Sequence, residues 1–114
     1  MSVTRTLAQY IVDTHYDRLP DSVVNAAKIA ILDGVANMIA GSTQELAAII
    51  GRYVKDLGGT PKSSVIGWGF KTNPPSAAFA NGVFGHCLDY DIQGYPPTYG
   101  TSSCLPYASV LPVD

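Results

Sequence analysis

Residues 77–91 read AAFANGVFGHCLDYD, and this stretch decides how the chain folds. Ala78, Gly82 and Gly85 recur at helical spacing and form a stripe of small residues, which lets another backbone approach closely. Asn73 followed by proline is typical of a helix start, with an Asx cap and proline at the first position. The pattern predicts a helix over residues 75–88 that packs tightly against a neighbour.

Three further helices are predicted before this stretch. Apolar residues at three- and four-residue spacings predict an amphipathic helix over 4–18, ended by Leu19 and Pro20. A second helix, capped by Asp21 or Ser22 and ended by Gly41, is apolar around most of its circumference, so we expect it to be the surrounded, central helix. Residues 42–45 read STQE, which predicts a capping box for a third helix over 44–57.

The remaining segments are short or irregular. Residues 63–68 are β-branched and apolar, which predicts a strand or an extended segment. Residues 89–107 carry four tyrosines and three prolines without any period, which predicts a long loop of the kind that often holds functional residues. The predicted fold class is therefore mainly all-α, a helical bundle with one short extended segment near 63–68 and an irregular loop after 89.

Composition excludes several classes of protein. The 114 residues are 46% hydrophobic but only 14% charged, with a net charge of −2 and no basic run. A nucleic-acid partner is therefore not expected, and we expect further polypeptide or a partner to cover part of the surface. Residues 23–40 are apolar, but Lys28 and Asp33 interrupt them, which favours a buried helix of a soluble protein over a membrane span. No secretory signal is evident, so we expect a cytoplasmic protein.

His86 and Asp89 are the first candidates for chemistry. Three residues apart near a helix C-terminus, they are expected to share a face, where the helix dipole and the carboxylate favour the protonated imidazole. His86 is then a candidate proton donor. It is equally consistent with a capping residue that hydrogen-bonds the final carbonyls, and the spacing leaves both interpretations open. Asp91 is expected to point away from Asp89, so the two make a poor carboxylate pair.

Other site types lack their signatures. The only two histidines, His15 and His86, lie far apart, and there is no Cys-x-x-Cys, so no metal site is predicted. No glycine-rich loop is followed by the lysine and hydroxyl of a nucleotide site, so no cofactor is predicted. Cys104 and its neighbouring serines have no histidine near them in sequence, which makes nucleophilic catalysis a weak hypothesis.

Taken together, residues 77–91, with AFANG, His86 and LDYD, resemble the signature of the MmgE/PrpD family. This family includes 2-methylcitrate dehydratases, cis-aconitate decarboxylases and iminodisuccinate epimerases. LP at 19–20, ILDG at 31–34 and SVIG at 64–67 agree with it. The resemblance implies the N-terminal portion of a helical domain, without the family's second, lid-like domain. It also implies cofactor-independent lyase or epimerase chemistry on small polycarboxylates, commonly by homodimers.

The resemblance also implies site residues. The family's active-site aspartate falls on Asp89, while Ile92 replaces the second aspartate of its usual pair. After this motif, decarboxylase-like members of the family carry a threonine and then two histidines. Counted without gaps, these positions are occupied here by Gln93, Tyr95 and Tyr99. The predicted catalytic residues are then Asp89, His86 and Tyr99, and the predicted substrate-binding residues are Asp91, Gln93, Tyr95 and Thr98.

Two functional hypotheses follow. In the first, the chain is the N-terminal part of a polycarboxylate lyase and is inactive by itself, because a phenol with a pKa near 10 cannot replace imidazole in proton exchange at neutral pH. In the second, it is a catalytically silent helical module that associates with itself or with a further family chain. The low charge content and the apolar second helix motivate the second hypothesis.

Overall fold

The structure, a computed structural model, describes residues 2–90. Its elements in chain order are α1 (Val3–Asp13), a 3₁₀ turn (Tyr16–Arg18), α2 (Asp21–Gly41), α3 (Glu45–Leu57), β1 (Ser63–Val65), β2 (Phe70–Thr72) and α4 (Pro74–His86). The prediction of a mainly α-helical chain is confirmed. The predicted loop after residue 89 lies almost wholly outside the described residues.

The first two helices differ from the predicted bounds at their junction. α1 ends at Asp13, and Thr14 is already extended, with its hydroxyl donating to the carbonyl of Tyr10. The 3₁₀ turn takes up part of the segment assigned to one long helix. Pro20, not Asp21 or Ser22, is the N-cap of α2, because the fixed φ of proline suits the residue that leads into a helix.

The predicted capping box before α3 is wrong. The hydroxyls of Ser42 and Thr43 donate to the carbonyls of Ile39 and Ala40, at 2.7 and 2.8 Å, so they serve the end of α2. Gln44 is the N-cap of α3 and makes no side-chain capping bond. With so few residues between the helices, the unpaired carbonyls of α2 compete successfully for the same hydroxyls.

The extended segment is one arm of a hairpin. β1 pairs antiparallel with β2, with Val65 opposite Phe70. Gly67 and Gly69 adopt φ of 76° and 64° in the intervening turn, a conformation that glycine reaches without strain. The sequence pattern merged this turn with β1 because Ile66 and Trp68 continue the apolar run, and it missed β2.

α4, not α2, is the central helix of the described residues. It contacts α2, α3 and both strands, and it starts with Asn73 Oδ1 accepting from the N–H of Ser76 at 3.0 Å, as predicted. Its Phe84 is fully buried and stacks on Trp68 with ring centroids 6.4 Å apart. The buried hydrophobic core comprises Met38, Ala47, Val54, Val65, Ala77, Ala80 and Phe84.

α2 is therefore not surrounded within residues 2–90, contrary to expectation. Its buried residues are Gly34, Asn37, Met38 and Gly41, and most of its large apolar side chains are exposed. By length and composition it is the one described helix that could cross a membrane, with a mean hydropathy of 1.4. The prediction that α2 is surrounded is wrong for residues 2–90. An apolar circumference indicates that a helix is buried in the whole protein, but not which polypeptide buries it.

Candidate active site at the carboxyl end of α4

The carboxyl end of α4 is held by a close crossing with the carboxyl end of α2. A Cβ on Gly41 would overlap the backbone carbonyl oxygen of Phe84 and would lie 2.8 Å from the sulfur of Cys87. No side chain larger than hydrogen fits there, since real Cβ contacts are essentially never that short. α4 thus packs tightly against a neighbour, as predicted, and the glycine that permits this close approach is Gly41 of α2.

The middle of α4 is tied to the hairpin by one fully buried asparagine. Asn81 Oδ1 accepts from the N–H of Ile66 at 2.9 Å, and its Nδ2 donates to the carbonyl of Ser64 at 3.0 Å. Both the oxygen and the nitrogen of the amide therefore bond to backbone groups of the hairpin. Burial would make these groups costly if they were left unpaired. Asn81 orients α4 against the hairpin and carries no predicted chemistry.

The chain leaves α4 through a short turn that carries the candidate residues. Cys87 continues in right-handed helical geometry and donates its N–H to Val83, and the N–H of Asp89 donates to the carbonyl of His86 at 2.8 Å. Asp89 has a φ of 57°, the only positive φ at a non-glycine residue among the described residues. Aspartate is among the few residues that tolerate this region, and such outliers cluster at functional turns.

A second asparagine holds this turn against α2. Asn37, nearly fully buried, donates from Nδ2 to the carbonyl of Tyr90 at 2.8 Å. The backbone on either side of Asp89 is therefore fixed, by His86 within the turn and by Asn37 across the helix pair.

Cys87 is a structural rather than a reactive group. Its Sγ lies 3.2 Å from the carbonyl of Phe84 and 3.6 Å from that of Gly41. Burial raises the pKa of the Cys87 thiol, and a hydrogen bond to backbone opposes that rise only in part. A thiol that stays protonated at neutral pH is a poor nucleophile.

Both predicted site residues within the described part of the chain are exposed at this end of α4. His86 is the last residue of the helix, two residues before the predicted end, so Asp89 lies beyond the helix and the two do not share a helical face. The other predicted site residues lie outside the described residues: Asp91, Gln93, Tyr95, Thr98 and Tyr99. Among residues 2–90, no group of three histidine, cysteine or acidic side chains is placed to hold a metal ion.

Two clefts in the described part of the chain lie away from this turn. One, of about 350 Å³, lies between the 3₁₀ turn and the start of α2 and is lined by Tyr16, Asp17 and Lys28 among others. The other, of about 330 Å³, is apolar and lies between α3 and the start of α4. Neither of these two clefts is lined by His86 or Asp89.

Comparison with known proteins decides the family. The sequence model of the MmgE/PrpD N-terminal domain matches residues 5–106, which is most of the chain and includes the whole described site. The chain belongs to the MmgE/PrpD family. The resemblance seen in residues 77–91 and the segments before them is thereby confirmed as family membership.

Curated relatives of this MmgE/PrpD chain are cis-aconitate decarboxylases. It is 32% identical over 113 residues to cis-aconitate decarboxylase of Homo sapiens and 31% identical to that of Mus musculus. It is also 27% identical over 106 residues to the cis-aconitate decarboxylase-like protein oryM of Aspergillus oryzae. The matches cover 96%, 96% and 92% of this chain but only 23%, 23% and 22% of the relatives. The chain thus spans about a quarter of their length.

Two residues of this MmgE/PrpD site were missed at the level of sequence. Asn37 holds the turn against α2, and Asn81 holds the hairpin against α4. Each reads as an isolated polar residue in an apolar helix. The sequence did carry one signal for them. A polar side chain on an apolar helix face is expected to be buried with its hydrogen bonds made. Which backbone each amide meets depends on contacts 53 and 15 to 17 residues apart.

Proposed function

We propose that this chain forms the N-terminal part of an MmgE/PrpD-type lyase that acts on small polycarboxylates, with cis-aconitate as the first candidate substrate. The observation that carries the proposal is the match of 96% of the chain to cis-aconitate decarboxylases. 2-Methylcitrate is the second candidate, because the resemblance to the family includes its dehydratases. Function as a homodimer is part of the same proposal.

In this proposal the turn after α4 presents Asp89 to the substrate. The positive φ of Asp89 and the anchor from Asn37 to Tyr90 support it, since they fix the backbone on both sides of one exposed carboxylate. Asp89 orients the substrate or a water through hydrogen bonds. His86, one turn earlier, exchanges a proton next to a substrate carboxylate. As the family resemblance implies, Asp91, Gln93, Tyr95 and Thr98 are proposed to bind the substrate, and Tyr99 occupies the third catalytic position.

We propose that residues 1–114 do not turn over substrate by themselves. Proton transfer beside a carboxylate needs converging groups and a site closed to water, and both His86 and Asp89 are exposed in the described part of the chain. Tyr95 and Tyr99 stand where the family resemblance places histidines. Loss of a general base costs about 10²–10⁴ in rate.

A fusion tests this function. Residues 1–114 replace the matching N-terminal part of mouse cis-aconitate decarboxylase, and release of carbon dioxide from cis-aconitate is measured beside the unfused chain. We expect turnover by the fusion and none by residues 1–114 alone. Folded fusion without turnover of cis-aconitate or 2-methylcitrate would count against the proposed lyase role, and turnover by the unfused chain would disprove its inactivity.

Tyr99→His in that fusion tests the departure from the family pattern. Restoring an imidazole is expected to raise kcat at neutral pH by about tenfold or more. Tyr95→His is the matched variant at the other family histidine position. If neither change alters kcat while the fusion is active, the tyrosines already perform the required step and the catalytic deficit assigned to them is wrong.

The second candidate function is a silent helical module that associates with itself or with a further family chain. Large apolar side chains left open on α1 and α2 favour it, including Leu7, Ile11, Ile29 and Leu32. Sedimentation of the purified chain separates the two, because a module of this kind associates without any substrate. A monomer that unfolds cooperatively and stays soluble at high concentration would argue against it.

A further inference from the structure

The turn that carries Asp89 needs support from outside itself. Asp89 has a φ of 57°, and within the turn its N–H donates to the carbonyl of His86 at 2.8 Å. A non-glycine residue with a positive φ persists only when the surrounding structure holds it there. Asp89 is exposed, so packing of its own side chain contributes little. The conformation of Asp89 therefore depends on what holds the residues on either side of it.

Asn37 of α2 holds the residue that follows Asp89. Its Nδ2 donates to the carbonyl of Tyr90 at 2.8 Å, and Asn37 is only 9% exposed. Tyr90 is 70% exposed, so packing of its ring contributes little and the backbone hydrogen bond makes the attachment. Because a buried amide is costly to leave unpaired, this bond confines the carbonyl of Tyr90.

Gly41, one turn further along α2, holds the helix end that precedes Asp89. Its missing side chain lets the carbonyl of Phe84 lie against α2, and its own carbonyl is 3.6 Å from the sulfur of Cys87. Residues four apart in a helix lie on the same face. One face of α2 therefore holds the chain before Asp89 through Gly41 and after Asp89 through Asn37.

We propose that Asn37 is the positioning residue for Asp89, acting through the backbone carbonyl of Tyr90 and without touching the substrate. The inference rests on the proposed function, in which Asp89 orients the substrate or a water. A displacement of about 1 Å at a reacting group can cost about 10²-fold in rate, so a carboxylate whose backbone is released on one side loses most of its contribution. Asn37 then affects kcat from a helix that carries no predicted catalytic residue.

A double-mutant cycle tests this dependence in the fusion to mouse cis-aconitate decarboxylase. Asn37→Ala is made with Asp89 present and in an Asp89→Asn background, and kcat is measured at saturating cis-aconitate. With Asp89 present, Asn37→Ala is expected to lower kcat by about tenfold or more. In the Asp89→Asn background, the same change is expected to lower kcat by less than about twofold, because no carboxylate is left to position.

Met38→Ala is the matched control for stability. Met38 is the next residue of α2, is fully buried and packs with Ile66 and Ala78 in the core. Its truncation is expected to destabilise the fold at least as much as Asn37→Ala does. In the folded fusion it is expected to change kcat by less than about twofold, with the folded fraction of every variant checked by circular dichroism.

Hydrogen exchange at the N–H of Asp89 reports on the turn without any activity. In residues 1–114, Asn37→Ala is expected to speed this exchange several-fold, because the turn opens locally once Tyr90 is released. Met38→Ala is expected to leave the exchange within about twofold of the wild-type rate.

Two results would overturn the proposal. Equal exchange of the Asp89 N–H in Asn37→Ala and the wild type would show that Asn37 does not hold the turn. An equal loss of kcat in the two Asp89 backgrounds, or the same loss in Met38→Ala, would show that Asn37 does not act through Asp89. A folded fusion without turnover would instead overturn the proposed function, and the exchange measurement would still decide whether Asn37 holds Asp89.

Discussion

Asn37 of α2 donates a 2.8 Å hydrogen bond to the carbonyl oxygen of Tyr90, the last residue described beyond α4. This bond joins two segments 53 residues apart and fixes the far side of the turn that carries Asp89. The position of the candidate catalytic carboxylate thus depends on a neutral amide in a different helix.

Asn37→Ala is expected to loosen this turn. Loss of this partly buried hydrogen bond is expected to lower the free energy of unfolding, measured by urea denaturation, by about 0.5–1.5 kcal/mol. Asn25→Ala, an exposed asparagine of the same helix, is the control and should change that free energy by less than about 0.5 kcal/mol. Equal effects of the two changes would show that Tyr90 is not anchored through Asn37.

Gly41→Ala is expected to disrupt the crossing of α2 and α4. The new methyl overlaps the carbonyl of Phe84, so one helix must move, at a cost of about 1–3 kcal/mol or more in the free energy of unfolding. Ala40→Gly, at the adjacent exposed position, should cost only about 1 kcal/mol through helix propensity. A Gly41→Ala chain as stable as the wild type would contradict the close crossing.

Asn81→Leu is expected to detach the hairpin from α4. It removes two buried hydrogen bonds and leaves the N–H of Ile66 and the carbonyl of Ser64 unpaired, so a loss of about 2–4 kcal/mol is expected. Asn81→Asp keeps an acceptor for the N–H of Ile66 but buries a carboxylate against the carbonyl of Ser64, so it is expected to be at least as destabilising as Asn81→Leu. Hydrogen exchange at Ile66 reports the first bond directly, and unchanged protection in Asn81→Leu would argue against it.

Two changes at Asp89 separate strain from chemistry. Asp89→Gly removes the cost of a positive φ and is expected to raise the free energy of unfolding by up to about 1 kcal/mol. Asp89→Asn keeps the side-chain shape without the charge and should have little effect on stability. In the active fusion, both are expected to lower kcat by about 10²-fold or more. Full activity of Asp89→Gly would leave Asp89 with a conformational role alone.

The thiol of Cys87 is expected to react slowly with iodoacetamide. Burial raises its pKa, so less thiolate is present in the folded chain at pH 8 than in the chain unfolded by urea. In a Cys104→Ala background, the folded state should react several-fold more slowly. A raised pKa also stabilises the fold below the ordinary thiol pKa of about 8.5 and loses that effect as pH rises above it. Equal rates in both states would contradict a buried thiol.

The sequence by itself determined the local features of this protein. Asn73 with Pro74 marks the start of α4, because a cap and a proline act on the backbone immediately beside them. The combined pattern of residues 77–91 with LP at 19–20, ILDG at 31–34 and SVIG at 64–67 likewise indicated the family before any contact was known. These signals depend on neighbouring residues in the sequence, so they can be recognised without knowledge of the fold.

Only the tertiary structure decided which helix is central and what holds Asp89. α2 has an apolar circumference that predicts a surrounded helix, yet α4 is the one that contacts α2, α3 and the hairpin. The hydroxyls of Ser42 and Thr43 could have capped the start of α3, but they donate to carbonyls at the end of α2. Burial and hydrogen-bond partners of this kind arise from segments far apart in the chain, and a pattern read along one segment carries no information on which of them it will meet.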